Sequence, residues 1–416
     1  MVTYVAKDRP GRNDSCSCGS GKKYKKCCEA KDDLEASASR RRAASIQHFS
    51  YDEISPEVEA LRQRVEARQA GVRRRLAEEY GILINFVAPV QQGDGKVWCI
   101  GNRVYTGAPP NQTFHEFILQ RLREMLGEDW RATQAAVEPG NEHYLYRCFR
   151  EYHAWTAKVS AETEANGDGL WSGHPNGWAQ YLRSVAWDVA SLLHATAAEL
   201  PESLLLRLRD PVAFQGARYE IAVAALFARL DCEIEFLDDK ELRGEKHVEF
   251  IATHRPSGRE FAVEAKSRHR TGVINEEGQP DREDPLHGDQ RSVRRLFTKA
   301  LEKEVGGLPY LIFIDINAPV GLGAVGLEGK WQSQVRAWMN RFPPPTAEQP
   351  AAYNGLFVTN FSPQYDGEHV ALGGEWLEVR PGFASTPFDV DLLAAIEYAL
   401  ERFDKVPEIS VDGELL

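Results

Sequence analysis

Apolar and polar positions change period several times along the 416-residue chain, and the changes divide it. Val58, Leu61, Val65, Val72 and Leu76 recur at helical spacing, which predicts a helix opening at Ser55-Pro56-Glu57 and running to Tyr80. Two β-like runs, Ile82–Val90 and Lys96–Tyr105, flank the turn signal Gln91-Gln92-Gly93-Asp94-Gly95. Helices are expected at about 112–127, 140–164 and 175–199, and from Phe214 through the apolar run Ile221–Leu230. A strand near Glu233–Leu237 comes next. Two further β runs, Lys246–Thr253 and Arg259–Lys266, lie either side of His254-Arg255-Pro256-Ser257-Gly258 and read as a hairpin. A Gly/Pro/Asp-rich loop reaches residue 289 and leads into a basic helix with Arg291, Arg294, Arg295 and Lys299. Tyr310–Ile316 is a continuous apolar run, expected as a buried strand. The tail predicts a helix at 329–341, strands at Gly355–Asn360 and Trp376–Val379, and a last helix at about 388–403.

The second hairpin concentrates the chemistry. Side chains alternate faces along a strand, so Glu264 and Lys266 point the same way and Ala265 points into the body. Glu249 lies about as far from the turn as Glu264, so pairing brings the two carboxylates together. Carboxylates gathered beside a lysine at a strand end suit a hard cation such as Mg²⁺, which binds carboxylate and carbonyl oxygens.

Helix-borne Glu220, strand-borne Glu249 and the triplet Glu264-Ala265-Lys266, in that order, resemble the PD-(D/E)xK nuclease superfamily. The resemblance covers roughly residues 210–316, and the element order α-β-β-β-α-β matches the superfamily's common core. It departs at Glu249, where the family usually has Asp. The resemblance implies a restriction-endonuclease-like core hydrolysing phosphodiester bonds with Mg²⁺ or Mn²⁺. Glu249, Glu264 and the Ala265 carbonyl would hold the ion, Lys266 would position water or stabilise developing charge, and Glu220 would bind a second ion or a metal-bound water. Arg268, His269 and Arg270, just beyond the triplet, are candidate phosphate contacts.

Four of the seven cysteines crowd into the first 28 residues. Cys16 and Cys18 are followed, eight residues on, by adjacent Cys27 and Cys28. Two close pairs across a Gly-rich turn can offer four thiolates to one tetrahedral Zn²⁺, and a closed Cys₄ shell is structural. The segment is too short to bury a core, so the metal would fold it. It resembles the SEC-C motif, found at the C-terminus of the preprotein translocase ATPase and in many otherwise unrelated proteins. That resemblance implies a docking module for a protein partner. Cys99, Cys148 and Cys232 stand apart and read as small buried thiols.

Composition sets limits. The net charge of −12 excludes a generally basic nucleic-acid binder and confines any such contact to one face. No apolar run approaches the roughly 20 residues that span a bilayer, and no secretory signal is visible, so a cytoplasmic protein is expected. Gly321-Leu322-Gly323-Ala324-Val325-Gly326 is formally a dinucleotide fingerprint. Asn317–Val320 separates it from the strand, and no acid-tipped strand follows, so no nicotinamide cofactor is expected.

The expected architecture is therefore a multidomain α+β (or α/β) protein. It comprises a zinc module at 1–30, a linker at 31–54, a mixed, mainly helical domain at 55–200, and a nuclease-like domain with a C-terminal extension at 201–416. The expected function is a metal-dependent endonuclease on nucleic acid, DNA in the first instance, with a zinc module for docking. The rival is a non-catalytic nucleic-acid or protein-binding adaptor on a degenerate nuclease fold.

Overall fold

The computed structural model describes residues 13–16, 20–27, 70–83, 86–92, 95–100, 103–165, 171–196, 200–237, 247–269, 292–303, 305–317, 330–361, 375–403 and 405–409. The chain forms two compact units, Met1–Val65 and Glu66–Leu416. The expected linker, most of the first helix, and the glycine run at 321–326 lie outside the described residues.

In the first unit the chain doubles back on itself. Ser15 bridges Lys23, the Cys16 N–H donates to the Lys22 carbonyl at 2.9 Å, and the Tyr24 N–H donates to the Asp14 carbonyl at 2.8 Å. Gly21 makes the reversal possible with a φ of +68°, a region that disfavours any residue carrying a Cβ. A short 3-10 turn, Tyr24–Lys26, closes the loop over a buried Tyr24.

The second unit opens with a helix at residues 70–80 and a three-stranded antiparallel sheet of β1 (Phe86–Gln92), β2 (Gly95–Ile100) and β3 (Arg103–Ala108). The run expected as one strand, Lys96–Tyr105, is thus two, and the chain reverses where Ile100 pairs with Arg103. Helices α1 (Phe114–Leu126), α2 (Glu128–Ala135), α3 (Tyr144–Glu162), α4 (Gly177–Ala195), α5 (Glu202–Arg209) and α6 (Phe214–Arg229) follow. Thr113 and Glu116 form a capping box at α1, and Asn176 caps α4. Sequence patterning did not single out α2 or α5. Both are eight residues long, and α2 buries no side chain, so neither shows a strong periodic stripe.

Helix α6 is buried nearly all round, as its Ala-rich apolar sequence requires. On one side it packs on α4, on the other against the second sheet. That sheet runs β4 (Cys232–Phe236), β5 (Phe250–His254), β6 (Arg259–Ser267), β7 (Tyr310–Asp315), β8 (Gly355–Asn360) and β9 (Glu375–Val379), in sequence order. β4, β5 and β6 pair antiparallel, β6, β7 and β8 parallel, and β9 antiparallel on β8. β7 is buried at every position, because both sheet faces are covered. Phe261, Val263, Ala265 and Phe313 join the core on the α6 side. Ala262, Tyr310, Ile312 and Ile314 join a second core with α7 (Val293–Leu301) and α8 (Lys330–Met339). Helix α9 (Val390–Leu400) returns to the α6 side. The first core is continuous from Leu76 to Ile409, so packing runs across the boundary expected at 200/201. Cys148 and Cys232 are buried thiols within it. Among the described residues no helix is long and apolar enough to cross a membrane.

Candidate active site

The β5–β6 hairpin turns at Arg255–Gly258. The Gly258 N–H donates to the His254 carbonyl at 2.8 Å, and Gly258 takes a φ of +66°. Phe250 pairs with Val263, which sets Glu249, immediately before β5, beside Glu264. The Glu249 carbonyl is held in turn by the Leu237 N–H at 3.2 Å. Ala265 enters the core under α6, so Glu264 and Lys266 project from the opposite face. The hairpin expected from the sequence therefore places all three charged groups together.

Glu264 is wholly buried. Lys266 Nζ lies 2.7 Å from Glu264 Oε1 and also pairs with Glu249 Oε1. Lys303, just past the end of α7, brings its Nζ to 3.6 Å from Glu264 Oε1. Glu264 Oε2 has no hydrogen-bond donor among the described residues. Burial pushes the Glu264 carboxyl up, with Lys266 opposing, while Glu249 adds like-charge repulsion. Burial alone would lower the Lys266 ammonium, but the charges of Glu249 and Glu264 outweigh it and hold the group protonated.

Glu220 sits on α6 and is engaged by Arg207 of α5. Two parallel bonds, Nη1 to Oε1 at 2.5 Å and Nη2 to Oε2 at 2.6 Å, make a fork. Burial, reinforced by the charge of Glu249, raises the Glu220 carboxyl to about 7 against the pull of Arg207. Among the described residues no three His, Cys, Asp or Glu side chains converge as a ready-made metal cage. Glu220 faces a guanidinium, while Lys266 stands between the other two carboxylates.

The flanking residues correct one expectation. Arg268 is buried, not presented to solvent, and donates to the Ile316 carbonyl at 3.1 Å. Its backbone carbonyl accepts from Asn317 at 2.8 Å, so the residue ties the ends of β6 and β7 together. His269 is half-buried beside Gly216 at the start of α6, and Arg270 lies outside the described residues. Arg207 and Lys303 are additions. The Leu204/Leu208 spacing, with Glu202 in the first turn and Arg207 and Arg209 in the last, hints at α5, but nothing local points its arginine at Glu220. A polar row closes the sheet end nearby: Ser267 donates to Asp315 at 3.3 Å, and Tyr219 and Thr359 share a hydrogen bond of 2.8 Å.

In the cysteine module, Cys16 is buried and Cys27 half-buried, with Ser20 Oγ 3.1 Å from Cys27 Sγ. Cys18 and Cys28 lie outside the described residues.

Residues 12–30 match the SEC-C motif. The chain is 75% identical over 24 residues to the protein translocase subunit SecA of Halothermothrix orenii, covering 6% of this chain and 3% of that protein. It is 70% identical over 23 residues to the uncharacterized protein YecA of Escherichia coli, covering 6% and 10%. It is 68% identical over 25 residues to a UPF0225 protein of Vibrio cholerae, covering 6% and 17%. The matches thus span a small fraction of this chain and of each relative. No solved structure matches the chain.

Proposed function

We propose that the unit Glu66–Leu416 is a metal-dependent phosphodiester hydrolase acting on nucleic acid, DNA in the first instance. The observation that carries this reading is the gathering of Glu249, Glu264 and Lys266 on one face of the β5–β6 fork, with Glu220 close enough for Glu249 and Lys266 to act on its charge. The order α6-β4-β5-β6-α7-β7, antiparallel through β6 and parallel from β6 to β7, supports the resemblance to a PD-(D/E)xK core.

The residues fit a divalent cation. A wholly buried carboxylate oxygen without a donor, Glu264 Oε2, is what a cation satisfies, and Glu249 beside it supplies a second hard ligand. Glu249, Glu264 and the carbonyl of Ala265 would hold Mg²⁺ or Mn²⁺, which as a Lewis acid supplies charge neutralisation and a more acidic water. Lys266, kept protonated, donates from Nζ to a non-bridging phosphate oxygen and offsets the charge that develops there. Glu220, raised toward neutrality, holds a water through its carboxylate and accepts its proton. Arg207 fixes the orientation of that carboxylate.

For the first unit, we propose that Cys16, Cys18, Cys27 and Cys28 bind a structural Zn²⁺ and present the module to a protein partner, in a reducing, cytoplasmic setting. The test of the hydrolase is cleavage of plasmid and single-stranded DNA in Mg²⁺ or Mn²⁺ against EDTA, with Lys266→Ala beside wild type. Metal-dependent cutting lost in the variant is the expected result. Cutting retained in Lys266→Ala would overturn the assignment.

One observation favours a second reading. Lys266 pairs with both carboxylates and so neutralises them internally. A protein that binds nucleic acid without cutting it would show binding and no metal-dependent cleavage in the same assay.

A further inference from the structure

Helix α7 carries the most sharply divided surface among the described helices beside the site. Val293, Leu296, Phe297 and Ala300 are buried against the sheet, while Arg294, Arg295, Thr298 and Lys299 face solvent. The helix Val293–Leu301 contains three cations and no acid, in a chain of net charge −12. Arg294 lies over the Trp338 ring at 5.9 Å, which anchors it to α8. Arg295 and Lys299 lie four residues apart on one side of the helix, and Lys303 follows just past its end, beyond exposed Glu302.

The sheet sets where this line ends. The Tyr310 hydroxyl donates to the Ala300 carbonyl at 2.8 Å, and the Lys303 N–H donates to the same carbonyl at 3.1 Å. Tyr310 belongs to β7 and pairs with Ala262, two residues before Glu264 on β6. The last turn of α7 is thereby pinned over the strand that carries the candidate site, and Lys303 reaches Glu264.

We propose that Arg295, Lys299 and Lys303 form a track for the phosphodiester backbone of a nucleic-acid strand, delivering it to Glu264 and Lys266. This rests on the hydrolase reading for its end point, but its charge and geometry stand apart from catalysis. Residues four apart on a helix are separated by about 6 Å along the axis, comparable to the spacing of successive phosphates. A solvated helix face would need no alignment with the site. This one terminates on its most deeply buried carboxylate. Lys303 then has two partners in turn: Glu264 when the site is free of substrate, and a phosphate oxygen when a strand is seated.

The experiment is fluorescence anisotropy of the full chain with labelled duplex and single-stranded oligonucleotides in EDTA, across a KCl series. Wild type is compared with Arg295→Gln/Lys299→Gln and with Arg73→Gln/Arg74→Gln, the exposed basic pair on the helix at 70–80. Each lost phosphate contact lowers the log–log salt slope by about 0.9 on duplex and about 0.7 on single strands. The track variant is expected to bind at least tenfold more weakly with a slope smaller by about 1.8 on duplex and about 1.4 on single strands, and the control pair to bind as wild type does. Equal affinity and slope in the track variant, or no binding by wild type, would overturn the proposal. Cleavage in Mg²⁺ is read in parallel. A track variant that binds poorly, in a protein whose wild type never cuts, upholds the track and sinks the hydrolase. A wild type that cuts, with the track variant unimpaired in binding and cutting, sinks the track alone.

Discussion

Two buried ion clusters in the second unit make a useful pair. Asp188 of α4 and Arg229 at the end of α6 form a bridge with side chains 4% and 6% exposed. Arg229 also donates to Ser191 Oγ at 3.2 Å and lies over the Trp187 ring at 5.3 Å. The anion meets Arg229, with the charge of buried Arg218 also acting on it, and the surroundings close over all three. At the β5–β6 fork, by contrast, a fully buried Glu264 meets Lys266 and Lys303, whose side chains remain 24% and 22% exposed. Burial is deep at the carboxylate and open at the ammonium groups. A closed pair braces two helices. An open cluster with an unsatisfied carboxylate oxygen can exchange its partners for a ligand, which is what chemistry on a charged substrate needs.

The sharpest way to break this contrast is substitution at the open cluster. Lys266→Ala and Glu264→Ala should each lower metal-dependent DNA cleavage by at least ~100-fold, the scale of losing one charge-stabilising group, with circular dichroism unchanged. If both cut normally, the fork is a brace like the other.

Next in size is the closed pair. Asp188→Ala leaves Arg229 buried without its anion and should cost about 3–5 kcal/mol in urea unfolding, with cleavage per folded molecule intact. Glu264→Gln should be neutral or stabilising in the same measurement, because burial and Glu249 already disfavour its charge. A reversed order of the two would remove the distinction between brace and site.

Smaller still is the dependence on pH. Burial raises Glu220 to about 7 and Asp315 to about 6, above their ordinary values. Each of these carboxyls holds its proton more tightly in the folded chain, so its own contribution to stability falls as pH rises from its ordinary value to its raised one, while His115 and His143, pushed down by burial to about 3 and about 4, contribute in the opposite sense. Urea midpoints in EDTA at about pH 4.5 and about pH 7 isolate the Glu220 share: between the two, Glu220→Gln should lose less stability, or gain more, than wild type does. An identical pH dependence in Glu220→Gln and wild type would contradict the Glu220 environment. The smallest effect is expected from Cys16→Ser. Bound zinc per chain should drop, while the melting temperature of the unit Glu66–Leu416 stays within about 1 °C, because Cys16 belongs to the other compact unit.

Much of the fork was legible before folding was considered. Period-two alternation put Glu264 and Lys266 on one face, and the turn at His254–Gly258 set Glu249 level with Glu264. Strand β8 occupies the expected Gly355–Asn360. Arg268 was not legible, because a cation just past a strand end can turn outward or inward with the same local pattern. Its direction is decided by the Ile316 carbonyl on the neighbouring strand. The split of Lys96–Tyr105 into β2 and β3 escaped because both halves are β-like, although Gly101-Asn102 between them is a two-residue turn signal.

The amino-acid sequence alone determined what depends on neighbours a few residues apart: the cysteine spacing of the SEC-C motif, the alternation of β6, and the apolar run that fills the second half of α6. Tertiary structure alone decided that Arg207 clasps Glu220, that Lys303 reaches Glu264, and that the core runs unbroken from the middle helices into the second sheet. The physical reason is the range of each cause. Alternation and helical period follow from backbone geometry at every residue. Which charges meet follows from strand order and from how α5 and α7 seat on their partners, and those contacts exist only once the whole chain has packed.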